Sequence, residues 1–341
     1  MPTPELATQT ADAATPRPPA ALVARLAAIA SAADAAARTP AGVTHPAPPG
    51  ARSAQAAPPD GGHVVLAERS DATVVRVGDT VAKAHPADTV AADLAVRLEV
   101  ATHPSLRSIL LPPHPVRTQV QGRPVTVWPY GAPVDAGDAG AAPWEEAAGL
   151  LARLHAAPYD ALPGPLPAMR GPAKAAAAVA RLDGVPDSAA TATVRRAWRL
   201  LPGWATGAEP YEGRRALCHG DWHLGQLVRH PAPGGRWLLI DVDDLGAGDP
   251  AWDLARPAMW FAAGLLAPRT WTRFLAAYRA AGGTAVPPEG DPWDRLDVPA
   301  RALAVQTAAV AVAKAAGQGR DLDEAEAGVL AACARIAGLS R

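Results

Sequence analysis

The sequence predicts an α+β fold of two lobes, a small antiparallel-sheet N-lobe followed by a mainly helical C-lobe. Between residues 63 and 131, short runs rich in β-branched residues alternate with turn residues. Beyond Pro143, apolar residues recur at helical spacing almost to the C-terminus. That helical half is interrupted once, from Leu217 to Ala255, by two acidic clusters with a hairpin's worth of sequence between them.

In chain order, residues 1–62 are dominated by Ala, Pro, Thr and Ser, and Pro46, Pro48, Pro49, Pro58 and Pro59 forbid a regular element over much of the segment. A largely disordered segment, dispensable for catalysis, is expected there. Its exception is Pro19 to Arg38, where Leu22, Leu26 and Ile29 stand at helical spacing and predict a short amphipathic helix, docked or free. Three strands are then predicted at Val64–Ala67, Thr73–Val77 and Thr80–His85, with turns at Ser70-Asp71-Ala72 and Gly78-Asp79. Lys83 lies on the third, on the same face as Val81. Ala91 to Thr102 reads as a helix with Leu94 and Leu98 inward, and its Asp93 and Glu99 both compete to pair with Lys83. Ser108–Leu111 and Pro124–Gly131 are predicted to complete the sheet, and the N-lobe closes at residue 131. From residue 132 to 341 the C-lobe is predicted to carry helices at Trp144–His155, Lys174–Leu182, Ala189–Leu201, Trp252–Leu266, Thr270–Ala281, Val298–Gln318 and Asp323–Ile336.

Chemistry concentrates in the interruption. The first cluster reads His219-Gly220-Asp221-Trp222-His223-Leu224-Gly225-Gln226, and the second Ile240-Asp241-Val242-Asp243-Asp244, followed by Gly248-Asp249-Pro250. Leu227-Val228 and Trp237–Ile240 are short apolar strands joined through Pro231, Pro233, Gly234 and Gly235, so the hairpin is expected to gather Asp221, Gln226 and Asp241. Convergent carboxylates beside an amide oxygen suit a hard cation such as Mg2+.

These residues resemble the aminoglycoside and choline kinase-like phosphotransferases of the protein-kinase-like superfamily. The likeness lies in the His-Gly-Asp loop, the amide five residues later, the second Asp beyond the hairpin and the Gly248-Asp249-Pro250-Ala251-Trp252-Asp253-Leu254-Ala255 run. The His-Leu-Gly-Gln ending is similar to maltokinases, with Gln226 where the family usually has Asn. The resemblance implies a protein-kinase-like fold and transfer of the γ-phosphoryl of ATP, with Mg2+, to a hydroxyl of an aminoglycoside, sugar or similar small molecule. It assigns Asp221 as the base that orients the hydroxyl, Gln226 and Asp241 as metal ligands, and Lys83 as the phosphate contact, with either Glu99 or Asp93 as its partner. Backbone groups around Trp128 and Tyr130 become the adenine contacts, left free because Pro129 interrupts pairing. His219 is expected to be scaffold, and Asp249 and Asp253 to cap and brace the following helix.

Composition sets further bounds. Lys and Arg total 32 against 33 Asp and Glu, which gives no bulk electrostatic case for nucleic acid. Two distant cysteines, Cys218 and Cys333, argue against a disulfide framework and for a reducing cytoplasm. No stretch reads as apolar enough to span a membrane, so none is expected as a partner. The acceptor is left open between acidic walls from Glu289, Asp291, Asp294 and Asp297 and an aromatic cage from Trp252, Trp260, Trp271 and Trp293. Two other readings compete. In one, the chain is a pseudokinase-like nucleotide-binding regulator; in the other, a metal-dependent hydrolase, His219, Asp221, His223, Asp241, Asp243 and Asp244 are ligands.

Overall fold

The structure, a computed structural model, describes residues 20–38, 62–69, 72–135 and 142–338. Ser70, Asp71 and the rest of the 1–62 segment, on which some expectations above fall, lie outside the described residues. The chain divides into two compact units, one running to Pro133 with Val228–Ile240 added, the other comprising Val134–Leu227 and the residues from Asp241 onward.

The first unit is built on a five-stranded antiparallel sheet. Helix α1 (Ala20–Arg38) precedes strands β1 (Val64–Glu68), β2 (Thr73–Val77) and β3 (Thr80–Ala84), helix α2 (Ala91–Thr102), and strands β4 (Arg117–Val120) and β5 (Arg123–Pro129), in the spatial order β1-β2-β3-β5-β4. The pleat sends alternate residues to opposite faces. Val75, Ala82, Ala84 and Val125 form one apolar face, and α1 covers it with Leu22, Leu26 and Ala30, a stripe of four-residue spacing that is wholly buried. The N-terminal helix is therefore part of the core. Asp34 fixes its far end, accepting the Asp79 amide at 3.1 Å and the Thr80 hydroxyl at 3.3 Å across the β2–β3 turn.

Two strand assignments are corrected. Residues 108–111 do not enter the five-stranded sheet; Leu110 instead bridges Leu239 in parallel, with the Leu111 amide on the Leu239 carbonyl at 2.9 Å. The place beside β5 goes to β4, which turns back through Gln121 and Gly122, both at positive φ. The hairpin of β8 (Leu227–His230) and β9 (Arg236–Leu239), expected in the helical half, groups with the sheet unit from Val228 on, because β8 pairs with β6 (Ala132–Pro133) and Leu239 with Leu110.

The second unit is helical: α3 (Trp144–His155), α4 (Gly171–Ala180), α5 (Ala189–Arg199), α6 (Ala251–Ala262), α7 (Pro268–Ala280), α8 (Trp293–Gln318) and α9 (Glu324–Ala337). A two-stranded ladder interrupts them, β7 (Ala216–Cys218) against β10 (Gly246–Gly248). Helix α8 is the axis, packing on α4, α5, α6 and α9. It starts before its expected position at Val298 and runs through Pro299, forgoing the hydrogen bond to the carbonyl four residues back.

Both α1 and α8 are long and apolar enough to cross a membrane, contrary to the sequence expectation. Each is used for packing, α1 on the sheet and α8 at the middle of the helical unit.

Candidate active site

The loop after β7 is clamped from behind. Gly220 takes φ +85°, and a side chain there would run into the Asp244 carbonyl, so glycine is required on both counts. Asp253, in the first turn of α6, accepts the His219 amide at 2.6 Å and the Gly220 amide at 2.8 Å. Its Oδ2 also meets His155 Nε2 at 3.0 Å, while His155 Nδ1 lies 2.7 Å from the Tyr278 hydroxyl. Tyr278 in turn accepts the Ala285 amide at 2.9 Å. Read in donor order, the chain runs Ala285 N–H to Tyr278, Tyr278 O–H to His155 Nδ1, and His155 Nε2–H to Asp253, which satisfies every buried polar atom named. Asp253 was expected to brace its own helix; it braces the loop instead. Asp249 does cap that helix, accepting the Ala251 amide at 3.0 Å, and it also pairs with Arg295 at 3.2 Å. Cys218 is buried beside this brace, and burial pushes its thiol well above the ordinary value, which favours the thiol over the thiolate.

Asp221 is held from two sides. Lys174 Nζ, from α4, lies 2.7 Å from Oδ2, and Arg256 Nη2, from α6, lies 2.7 Å from Oδ1. Burial opposes its ionisation, but Lys174, Arg256 and the neighbouring His223 outweigh burial and hold the carboxyl well below the usual carboxylate range. Lys174 also reaches Asp244 Oδ2 at 2.7 Å, so one ammonium joins two carboxylates. At Asp244 the balance reverses. Its burial dominates, Lys174 counteracts only part of that, and the Asp221 and Asp241 charges add to it, leaving the carboxyl raised.

Gln226 and Asp241 do come together. The Gln226 amide stands 3.4 Å from Asp241 Oδ2, and Asp241 adopts φ +64°, a left-handed backbone that a non-glycine residue keeps only where its surroundings enforce it. Turning the amide about its last torsion presents Oε1 to the same point, so the pair offers amide and carboxylate oxygens and fits a hard divalent cation. His223 Nδ1 accepts the Gly225 amide at 3.0 Å. Burial lowers His223 to about 4; the upward pull of Asp221 is the next largest influence and the Arg256 charge opposes it, so the ring is neutral, and with Nδ1 accepting, its hydrogen is on Nε2.

In the sheet unit, Lys83 is buried on β3 opposite Thr126 of β5, on the face away from α1. Glu99 does not join it. That side chain is exposed on α2, and Asp93 stands 3.9 Å from Arg97, the buried charged residue of the helix, so neither acid of α2 pairs with Lys83. Trp128 is buried, its indole N–H on the Thr126 hydroxyl at 2.9 Å. Tyr130 departs from expectation most. Its N–H donates to the Asp79 carbonyl at 2.7 Å, its carbonyl lies 3.0 Å from His230 Nδ1, and the Arg76 guanidinium sits 3.4 Å over its ring. Pro129 stays in register with Thr80 as the last residue of β5, and the two hydrogen bonds beyond it mean that the tyrosine backbone is not left free.

Sequence reasoning missed Lys174, Arg256 and the His155–Asp253 brace. A signal for the first was available, since the chain has three lysines, Lys83, Lys174 and Lys314. The proposed acceptor walls fare differently from the loop. Trp252, Trp260 and Trp271 are buried core residues, Asp291 caps Trp293, and Asp297 pairs with Arg301 at 2.8 Å.

A five-stranded antiparallel sheet, a helical unit and the His-Gly-Asp loop with its partner Asp define a protein-kinase-like phosphotransferase. The chain belongs to the phosphotransferase enzyme family, whose model matches residues 63–297. No curated protein gives a sequence match. Among solved structures it is similar to a choline/ethanolamine kinase family protein from Mesorhizobium loti, at 18% identity, TM-score 0.54, covering 83% of this chain and 90% of that one. It is also similar to choline kinase LicA from Streptococcus pneumoniae, at 15% identity, TM-score 0.53, covering 81% and 92%. The amicoumacin kinase hAmiN, solved with AMP-PNP, Ca2+ and amicoumacin, gives 14% identity and TM-score 0.56 over 81% and 87%. At these identities the likeness is one of fold.

Proposed function

We propose that the chain is an ATP- and Mg2+-dependent small-molecule kinase that phosphorylates an alcohol group. The observation that carries this is Asp221, ionised and fixed at 2.7 Å by both Lys174 and Arg256, in the unit where Gln226 meets Asp241. In this reading Asp221 orients the acceptor hydroxyl and accepts its proton. A carboxylate so strongly stabilised is a weak base, which suits a loose transition state in which the proton leaves late. Lys174 and Arg256 are positioning residues that fix the carboxylate's direction. Lys83 contacts the nucleotide phosphates, and the backbone near Trp128 meets the base. A divalent cation held by Gln226 and Asp241 would neutralise charge on the phosphates. That hAmiN binds AMP-PNP and Ca2+ supports a nucleotide and a divalent cation here.

A hydrolase with Asp221 among its metal ligands is opposed by Lys174 and Arg256, whose two positive charges, each 2.7 Å from an Asp221 oxygen, would repel a metal ion bound there. A cytoplasmic location, and the absence of a membrane partner, are proposed on the two free, buried cysteines and the packing use of α1 and α8.

Metal-dependent nucleotide binding tests the ligand pair. With AMP-PNP as probe, Asp241→Asn is expected to raise the Mg2+ needed for half-saturation by about tenfold or more, and Gln226→Ala by a smaller factor. Unchanged Mg2+ dependence in both would remove them from the metal.

A further inference from the structure

This inference rests on the phosphotransferase reading and extends it to the acceptor. In the helical unit, Arg170, Lys174 and Arg256 stand around Asp221 and Asp244 and keep donors that those two carboxylates do not take up. Lys174 gives one N–H to Asp221 and one to Asp244, at 2.7 Å each, and keeps a third. Arg256 spends Nε on the Trp222 carbonyl at 3.3 Å and Nη2 on Asp221 at 2.7 Å, leaving Nη1. Arg170 stands 3.7 Å from Asp244 Oδ1, beyond hydrogen-bond length, and its side chain is 48% exposed, so its fork of donors is open to solvent. It also sits at the N-cap of α4, at the positive end of that helix. Neutral His223 adds an Nε2–H. Each oxygen of Asp221, and Oδ2 of Asp244, already faces a cation at 2.7 Å, so the negative charge there is paired while a lone pair on each oxygen stays open to a hydroxyl.

A polycationic sugar or a quaternary amine entering here would meet Arg170, Lys174 and Arg256, and the charge of Asp221 is already paired with two of them. We propose that the acceptor is a hydroxy acid, a small alcohol with a carboxylate near the hydroxyl that is phosphorylated, and that Arg170 and Lys174 recognise its carboxylate. A guanidinium fork beside one ammonium N–H matches a planar, two-oxygen anion. In the step itself, a bond forms between the hydroxyl oxygen and the γ-phosphorus of ATP. The bond from that phosphorus to the β–γ bridging oxygen breaks, ADP leaves with the electron pair, and the hydroxyl proton passes to Asp221.

Two matched sets of acceptors separate charge from shape: glycerate, glycerol and 3-amino-1,2-propanediol, and glucuronate, glucose and glucosamine. ADP formation by the full chain with ATP and Mg2+ is expected to be most efficient for the acid of each set, by about tenfold over its amine in kcat/KM. Arg170→Gln, a half-exposed position whose folding is checked by a thermal melt, is expected to bring the acid-to-neutral ratio close to one, and Lys174→Met to do the same. A preference for the amines, or an acid preference that both variants leave intact, overturns the proposal. Absence of ADP with all six compounds would count against the phosphotransferase reading, and the acceptor proposal is then decided by binding. Quenching of tryptophan fluorescence, with Trp222 adjacent to Asp221, should titrate at lower concentration for glycerate than for the amine; equal or reversed order contradicts it.

Discussion

Asp221 and Asp244 share one ammonium, yet their surroundings push their ionisation apart. Asp221 has a second cation, Arg256, and is driven down; Asp244 lacks one as close, is more deeply buried, and is driven up. Of the two, Asp221 is the carboxylate whose charge its surroundings hold more firmly. His223 gives this electrostatic pattern a solution test. Its folded value of about 4 lies below the ordinary 6.5, so between those limits the unfolded chain binds more protons and stability must rise with pH. In denaturant unfolding at pH 4.5, 5.5 and 6.5, the native chain is expected to gain stability at each step, and His223→Gln to flatten that part of the profile. A profile identical in the two proteins would contradict the assignment. The approach of Gln226 to Asp241 was legible because a hairpin brings its two ends together. Lys174 and Arg256 were not, since they reach Asp221 from 47 and 35 residues away, and nothing local in a helix says which carboxylate its lysine will meet.

Helix α1 shows how composition can mislead at the level of an element. Its flanks are Ala- and Pro-rich, and the whole segment reads as dispensable. Yet Leu22, Leu26 and Ala30 cover Val75, Ala82 and Ala84, none of which could face water without cost. The helical period of Leu22 and Leu26 was visible; the sheet face that needed covering was not, because a strand's alternation shows which residues are apolar without naming their partner. Leu26→Ala is expected to destabilise the chain by about 2–4 kcal/mol in urea unfolding, the range for a buried leucine that leaves a cavity. A loss under about 0.5 kcal/mol would return the helix to the surface. The errors in the sheet have a similar origin. Residues 108–111 are apolar enough for a strand but use it to pair with β9, while the polar Arg117–Val120 stretch forms the edge beside β5. An edge strand needs no apolar alternation, so the pattern gave no sign of it.

For the molecule as a whole, the sheet, the helical unit and the family were all within reach of the sequence, because fold class follows from periodicity and the family from the two acidic clusters. What lay beyond reach was how backbone groups are spent. Tyr130 looked available beside Pro129, and only the folded chain shows Asp79 and His230 taking its N–H and carbonyl. Glu99 looked as eligible as Asp93 until helix α2 turned it to solvent. On the proposed function, a buried clamp from Asp253, a two-cation hold on Asp221 and the Gln226–Asp241 pair make the helical unit the holder of a fixed carboxylate base. That claim is tested most directly by following the labelled γ-phosphoryl of ATP into an acceptor with the native chain and with Asp221→Asn, a change of one atom that keeps size and shape. The native chain should deliver label to the acceptor, and Asp221→Asn should do so at least about 100-fold more slowly with an unaltered melting curve. Label transfer by Asp221→Asn at the native rate would contradict it.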